Sequence, residues 1–412
     1  MIYIILHIIF SHFLKKFVPK VFLLIVYLGM RITMDFELTE MQKLFKKTVR
    51  EFAEKEIKPL ADRIDKEEYF PKDLYKKMGK MGLMGMTVPQ EYGGAGIDRV
   101  SYMIALEEIS RVCGSTGIIV EAHNSLGVGH IYEKGTEEQR KKYLPKLLNG
   151  EGLAAWALTE PNAGSDAAAT QTTAVLDGDE WVINGTKQFI TSGDTAAVTT
   201  VMAKTDKTKG ARGISAFIVE KDTPGFKVGQ LEDKLGLRGS HTAELIFENC
   251  RIPKENMLDK EGMGFVGAMT ILDRGRTAIG TMAVGIAQGA LDESIEYAKQ
   301  RQQFGKPIGK FQAIQWMIAD MATQIEAARL LVYRAADLEE KGKPFSKEAS
   351  MAKLFASEAA MKATRNAIQI FGGYGYTREY PLERFFRDVK LCEIGEGTSE
   401  VQRMIISRQL GL

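Results

Sequence analysis

The sequence predicts a mainly α protein with a central β domain, in the order helical, β, helical. Three observations carry this. Apolar residues recur at helical spacing up to about residue 152, β-branched and aromatic runs alternate with turn residues between Ala154 and Asn256, and helical spacing returns in long pieces after Met263. Strands and helices do not alternate, so parallel βαβ units are not expected. The expected segments are 1–33, an apolar extension outside the fold; 34–153, helical; 154–262, an antiparallel β domain; and 263–412, a helical bundle.

Met1 to Phe10 and Val21 to Met30 are apolar, but Lys15, Lys16, Pro19 and Lys20 interrupt them. Neither stretch approaches the roughly 20 residues of a spanning helix, and lysines in the middle do not make a signal peptide. An upstream-extended start is the expected reading, ahead of a membrane anchor. Thr39 and Gln42 then form a capping box with Leu38 as hydrophobic staple, and Met41, Leu44, Phe45, Val49, Phe52, Ala53 and Ile57 share one helical face. Further helices are predicted over 73–81 and 102–110, and Thr136 with Gln139 caps another ahead of Tyr143, Leu144, Leu147 and Leu148. Strands are predicted over 172–176, 180–184, 198–204, 214–220 and 243–247, with turns such as Asp177-Gly178-Asp179 between them. Long helices follow over 264–299, 311–341 and 346–371. The first carries Gly280, Ala283, Gly285, Ala287, Gly289 and Ala290, small residues that let neighbouring helices approach in a tight bundle. Ser399 and Gln402 read as the capping box of a last helix. Gly262-Met263-Gly264-Phe265-Val266-Gly267 satisfies G-x-G-x-x-G, but it lacks a leading strand and a βαβ context and reads as the entry to a helix.

A net charge of +2, from 55 basic against 53 acidic residues, implies no nucleic-acid partner. The 3 cysteines are far apart and the 5 histidines lack metal-ligand spacing, which points to a reducing, cytoplasmic setting and no metal.

Three runs can carry chemistry. Glu396 stands between Gly395 and Gly397, where flanking glycines permit close approach or positive φ; on its own it reads as an exposed turn residue. Trp156-Ala157-Leu158-Thr159-Glu160-Pro161-Asn162-Ala163-Gly164-Ser165-Asp166 is a strand entering a small, polar loop able to present amides to a ligand. In Lys187-Gln188-Phe189-Ile190-Thr191, an aromatic ring and a hydroxyl two apart share a strand face and suit a flat heterocycle, although Phe189 alone reads as core.

These runs, with Gln369-Ile370-Phe371-Gly372-Gly373-Tyr374-Gly375-Tyr376 and Glu396-Gly397-Thr398-Ser399-Glu400, resemble the acyl-CoA dehydrogenase family from about Met34 to Leu412. The resemblance is strongest to its short-chain, butyryl-CoA-dehydrogenase-like branch. It implies an N-terminal helical domain, an antiparallel β domain and a C-terminal four-helix bundle. It also implies FAD as cofactor, an acyl-CoA substrate, electron-transfer flavoprotein as redox partner, and a homotetramer. By the same resemblance Trp156, Leu158, Thr159, Phe189 and Thr191 would line the flavin. Arg301, Gln303, Phe304, Phe311, Gln312, Gln369, Gly373, Thr398 and Glu400 would complete the dinucleotide site, partly across a subunit interface. Ser165, Asp273, Arg276 and Gly397 would face substrate, although Asp273 and Arg276 alone read as a helix-surface ion pair.

Glu396 would then take the α-proton while flavin N5 takes the β-hydride, giving the trans-2-enoyl-CoA, with the Glu396 N–H helping to polarise the thioester oxygen. The nearest rival base, Glu393, lacks glycine neighbours. In the isovaleryl-type and long-chain branches the base occupies the position of Gly275, so this chain groups with the short- and medium-chain arrangement. Gly395 departs from the tyrosine common in relatives, which implies room for branched, cyclic or longer acyl groups. The same residues would serve an enoyl-CoA reductase running in reverse. An acyl-CoA oxidase or flavin monooxygenase on this fold would share much of the pattern, and so would a non-catalytic flavin-fold binding protein.

Overall fold

The computed structural model describes residues 36–412, and the expectations for 1–33 and Met34 lie outside them. Helix α1 (Glu40–Phe52) begins directly after Thr39, where the capping pattern places its start, and buries Val49 while Met41 and Leu44 stay exposed. Helices α2 (Lys72–Lys80), α3 (Arg99–Val112), α4 (Gly114–Glu121) and α5 (Glu137–Leu148) follow. Asp98 caps α3 by accepting the Ser101 N–H, and Thr136 and Gln139 form the reciprocal capping box of α5. Gln139 Nε2 also donates to the Glu255 and Met257 carbonyls at 2.6 and 2.9 Å, tying α5 to the end of the β segment.

The β segment holds β1 (Leu153–Ala157), β2 (Thr173–Asp177), β3 (Glu180–Thr191), β4 (Ala196–Lys204), β5 (Ile214–Glu220), β6 (Phe226–Leu231), β7 (Thr242–Pro253) and β8 (Met257–Leu258). Their order is β6-β7-β3-β2-β4-β5-β8, with β1 beside β4. Most pairs are antiparallel as expected, but β1 runs parallel to β4. A parallel pair needs a long crossover. The loop over 158–172 and the β2–β3 hairpin, turned at Gly178 with φ +64°, supply it.

Helices α6 (Gly264–Gln300), α7 (Gln312–Glu340) and α8 (Ser346–Phe371) match the expected long helices to within about a residue, followed by α9 (Leu382–Val389) and α10 (Ser399–Gln409). The small residues of α6 serve more than the bundle. A Cβ added at Gly285 would lie 2.4 Å from the Glu107 carbonyl oxygen, and one at Gly289 2.1 Å from that of Arg111, so this stripe receives α3 of the N-terminal segment. Gly280 faces α8 instead, at Lys353. The contact between α3 and its neighbours is tied by buried carboxylates: Glu107 pairs with Arg329 of α7 at 3.1 Å and Glu108 with Arg50 of α1 at 2.8 Å. The G-x-G-x-x-G run has a packing role, since a Cβ at Gly264 would meet the Ser215 carbonyl carbon at 2.4 Å. Cys113, Cys250 and Cys392 are free and buried. Among the described residues, no helix is long and apolar enough to cross a membrane.

Candidate active site

Glu396 lies in the loop between the 3-10 turn Lys390–Glu393 and α10, and it is not the exposed turn residue that its local sequence suggests. Its φ is +56° and that of Gly397 is +97°, so the loop reverses through two left-handed residues, a conformation non-glycine residues rarely hold without support. The support comes from buried side chains. Gln402 Nε2 donates to the carbonyls of Glu396 (3.3 Å) and Gly397 (2.8 Å), and Lys353 Nζ donates to the Gly397 carbonyl at 2.5 Å. This corrects the expected Ser399–Gln402 capping box: Thr398 caps α10, its hydroxyl accepting from the Val401 N–H at 3.4 Å, and Gln402 turns inward to the loop. Consecutive hydroxyl residues at 398 and 399 leave the cap position ambiguous in sequence.

Both Glu396 carboxylate oxygens are out of contact with solvent and receive no hydrogen bond from a donor among the described residues. α6 approaches them closely: a Cβ at Gly275 would lie 1.8 Å from Oε2. The next residue of α6, Arg276, is buried and paired with Asp273, which also accepts from Ser346 Oγ at 3.0 Å, so the two residues are not a surface pair. Burial pushes the Glu396 carboxyl up to about 7, while the Glu121 carboxyl within hydrogen-bonding reach, Arg276 and Lys353 act to lower it. Lys353 is itself brought down to about 8 by burial. Sequence reasoning missed Lys353 and Glu121. Lys353 had a signal, a lysine at helical spacing with Ala349 and Ala356 on what proves to be the buried face of α8.

The two sheet-side runs are locked to each other. Lys187, fully buried on β3, donates to Glu160 Oε1 at 2.7 Å and to the Leu158 carbonyl at 2.9 Å. Glu160 in turn accepts the N–H groups of Gln171 and Thr172. Replacing Glu160 with alanine leaves the Lys187 ammonium buried without its partner and is expected to cost about 3–5 kcal/mol, read as a lower midpoint in guanidinium unfolding. Trp156 Nε1 donates to His130 Nδ1 at 2.9 Å, and burial holds the His130 pKa down at about 3, so the imidazole accepts as the neutral ring. Phe189 is neither core nor part of a simple alternation with Thr191. It sits with φ +59° where the β3–β7 register shifts, and it is 62% exposed. Leu158 is buried, Thr159 and Thr191 are half-buried, and Ser165 is exposed on the loop after β1.

The remaining expected cofactor residues are mostly exposed and fall in two places, around the end of α6 and at the start of α10. Arg301 ends α6 and leads into a short hairpin, with its guanidinium 5.5 Å from the Tyr374 ring centre. Phe304 has φ +51°, is 93% exposed and meets Phe311 edge-on at 6.0 Å. Gln303, Gln312 and Gln369 are exposed, and a Cβ at Gly373 would meet nothing within 4 Å. Glu400 is exposed in the first turn of α10, with its carboxyl held low by the Thr398 hydroxyl. One chain thus brings Glu396, Gly275, Arg276 and Gly397 together, and among the described residues no hydrogen bond or ring contact joins Arg301, Phe304 or Phe311 to the sheet-side runs. An arginine fork, open glycines and unburied aromatic rings suit a phosphate and a stacked heterocycle, so the residues present fit a flavin dinucleotide.

Comparison with known proteins shows the family. Three domain families match in chain order: Acyl-CoA dehydrogenase, N-terminal domain at residues 39–151; middle domain at 155–250; and C-terminal domain at 262–411. The chain is 54% identical to a short-chain specific acyl-CoA dehydrogenase of Clostridium acetobutylicum, over 92% of this chain and 100% of that protein. It is 52% identical to an acryloyl-CoA reductase (NADH) of Anaerotignum propionicum, over 92% of this chain and 96% of the relative. A chain solved in work on the electron transferring flavoprotein of Acidaminococcus fermentans, directed at flavin-based electron bifurcation, superposes with a TM-score of 0.90. It is 53% identical, covering 92% of this chain and 99% of that one.

Proposed function

The chain belongs to the acyl-CoA dehydrogenase family of FAD enzymes, and from that premise we propose that it converts a short- to medium-chain acyl-CoA to the trans-2-enoyl-CoA with Glu396 as the α-proton base. One observation carries this reading: a carboxylate whose two oxygens are excluded from solvent, set against Gly275 and pushed by burial to a pKa of about 7, which is what proton abstraction at neutral pH needs. Removal of a proton from Cα leaves enolate-like charge on the thioester oxygen, toward which the Glu396 N–H is assigned. Lys353 and Gln402 fix the loop carbonyls, so the base and its N–H keep one geometry. When bound, FAD supplies the acceptor for the hydride that leaves Cβ.

Trp156, Leu158, Thr159, Phe189 and Thr191 are assigned to the flavin ring, with Thr398 and Glu400 near the same chain's dinucleotide. Arg301, Gln303, Phe304, Phe311, Gln312, Gln369 and Gly373 are assigned to the dinucleotide of a second copy. The exposure of Arg301, Gln303, Phe304, Gln312, Gln369 and Gly373 supports that assignment, and a homotetramer is the proposed assembly. Ser165, Asp273, Arg276 and Gly397 are assigned to the substrate side. Electron-transfer flavoprotein is the proposed acceptor, supported by the Acidaminococcus likeness. The acryloyl-CoA reductase relative supports a second reading, the same site run toward enoyl-CoA reduction. Dye-coupled rates measured from acyl-CoA and from enoyl-CoA separate the two directions.

The test is anaerobic addition of butyryl-, hexanoyl-, isobutyryl- and cyclohexanecarbonyl-CoA to the yellow protein. Bleaching of the flavin band is expected. A colourless preparation, or bleaching by none of the panel, overturns the reading. Gly395 sets which acyl groups fit: its φ is not left-handed, and an added Cβ there meets nothing nearer than Leu391 at 3.6 Å. Gly395→Tyr is therefore expected to fold and to lower kcat/KM for isobutyryl- and cyclohexanecarbonyl-CoA by about tenfold relative to butyryl-CoA. A butyryl-CoA preference that is strong in the parent protein and survives the change removes Gly395 from the argument.

A further inference from the structure

Glu121 is the last residue of α4, at the junction with the π-helical segment Ala122–Val128, and it is fully buried. Neither of its carboxyl oxygens meets a donor among the described residues. The group within its hydrogen-bonding reach besides Ser125 is the Glu396 carboxyl. The Ser125 hydroxyl, which also shares a hydrogen bond with the Tyr102 hydroxyl at 2.8 Å, has one proton to give and so satisfies at most one of the Glu121 oxygens. Two ionised carboxylates are acceptors only and repel, so a close buried pair holds together by sharing one proton. The surroundings decide which member carries it. Arg276 and Lys353 act on Glu396, whereas the neighbours acting on Glu121 are Glu396 and Ser125, with Tyr102 and Cys392 feeling its charge as uncharged groups.

We infer that Glu121 is the protonated member of this carboxyl pair and acts as a positioning residue, donating its proton's hydrogen bond to the Glu396 carboxylate. This rests on the reading of Glu396 as the base. The bond favours the ionised form of Glu396 against burial and aims its oxygens, which meet no other donor among the described residues. Glu121 itself stays neutral at working pH, since burial and Glu396 both push its carboxyl well above the usual range. Over the reaction it neither gains nor loses a proton.

The sign of the effect is testable on the FAD-bound enzyme through the acid limb of kcat/KM against pH. Glu121→Gln keeps a neutral donor and is expected to leave the limb in place. Glu121→Ala removes the donor and is expected to move the limb up by about one pH unit, because a hydrogen bond to the charged form lowers its pKa. If Glu121 were ionised instead, both changes would remove a neighbouring negative charge and move the limb down; that result, or no movement in Glu121→Ala, overturns the inference. Infrared spectroscopy supplies a readout apart from turnover and covers the case in which Glu121→Ala fails to fold. At about pH 8, the difference between parent and Glu121→Gln is expected to contain the C=O band of a protonated carboxyl, and its absence also overturns the inference. A Glu396→Gln variant that still bleaches would refute the base itself, whereas an inactive Glu396→Gln beside an unmoved Glu121→Ala limb refutes only the role of Glu121.

Discussion

Glu396→Gln is expected to bind FAD normally and to lose about 10²- to 10⁴-fold in the rate of flavin bleaching by butyryl-CoA, the usual contribution of a general base. Glutamine keeps the volume and a polar tip, so the left-handed loop pinned by Lys353 and Gln402 has no reason to rearrange. What disappears is the proton acceptor assigned to Cα. The parent enzyme is expected to lose kcat/KM as pH falls through about 7, because Glu396 must be ionised to act and burial raises its pKa to that value. Stopped-flow bleaching across pH checks both points. A Glu396→Gln variant that bleaches at the parental rate would move the base elsewhere.

The second large effect comes from Gly275, which touches no bond in the reaction. Its missing side chain is the space that the Glu396 carboxylate occupies, with an added Cβ only 1.8 Å from Oε2. Because the obstructing atom is the end of a flexible side chain, Gly275→Ala is expected to fold, with a loss of at most about 1–3 kcal/mol. The carboxylate must swing away, and displacement of a reacting group by about 1 Å costs on the order of 10²-fold in rate. Measured together, a modest fall in thermal stability and a hundredfold fall in bleaching support the geometry. An alanine variant with full activity would refute it. This also gives a physical basis to the contrast that the resemblance implies with the isovaleryl-type and long-chain branches, where the base stands at the position of 275: a side chain there and the Glu396 carboxylate would share one volume.

Much of the fold was legible because it rests on local rules. Periodicity located α6, α7 and α8 closely, and β5 in full, since each is long or strongly patterned. The pieces that escaped lack that signal. β6 is a polar edge strand with a mostly exposed pattern, and β8 has two residues. The parallel setting of β1 against β4 depends on the path of the chain between them, which no window of sequence contains. Phe189 leaves the face that alternation assigns to it because a register shift in β3 breaks the alternation at that point.

For the site, the residues themselves identified a glycine-framed glutamate, two runs suited to a flat heterocycle and the helical, β, helical order. The motifs together carried the family resemblance. These are properties of spacing and residue type, which neighbouring residues determine. The tertiary structure decided the state of the groups. It buried a carboxylate that the local sequence reads as exposed, set Gly275 from α6 against it, turned Gln402 inward, and brought Glu121 from the end of α4 beside it. Desolvation and charge pairing depend on distances between segments hundreds of residues apart, so the pKa of the base, and the partner that holds its proton balance, exist only once the chain is folded.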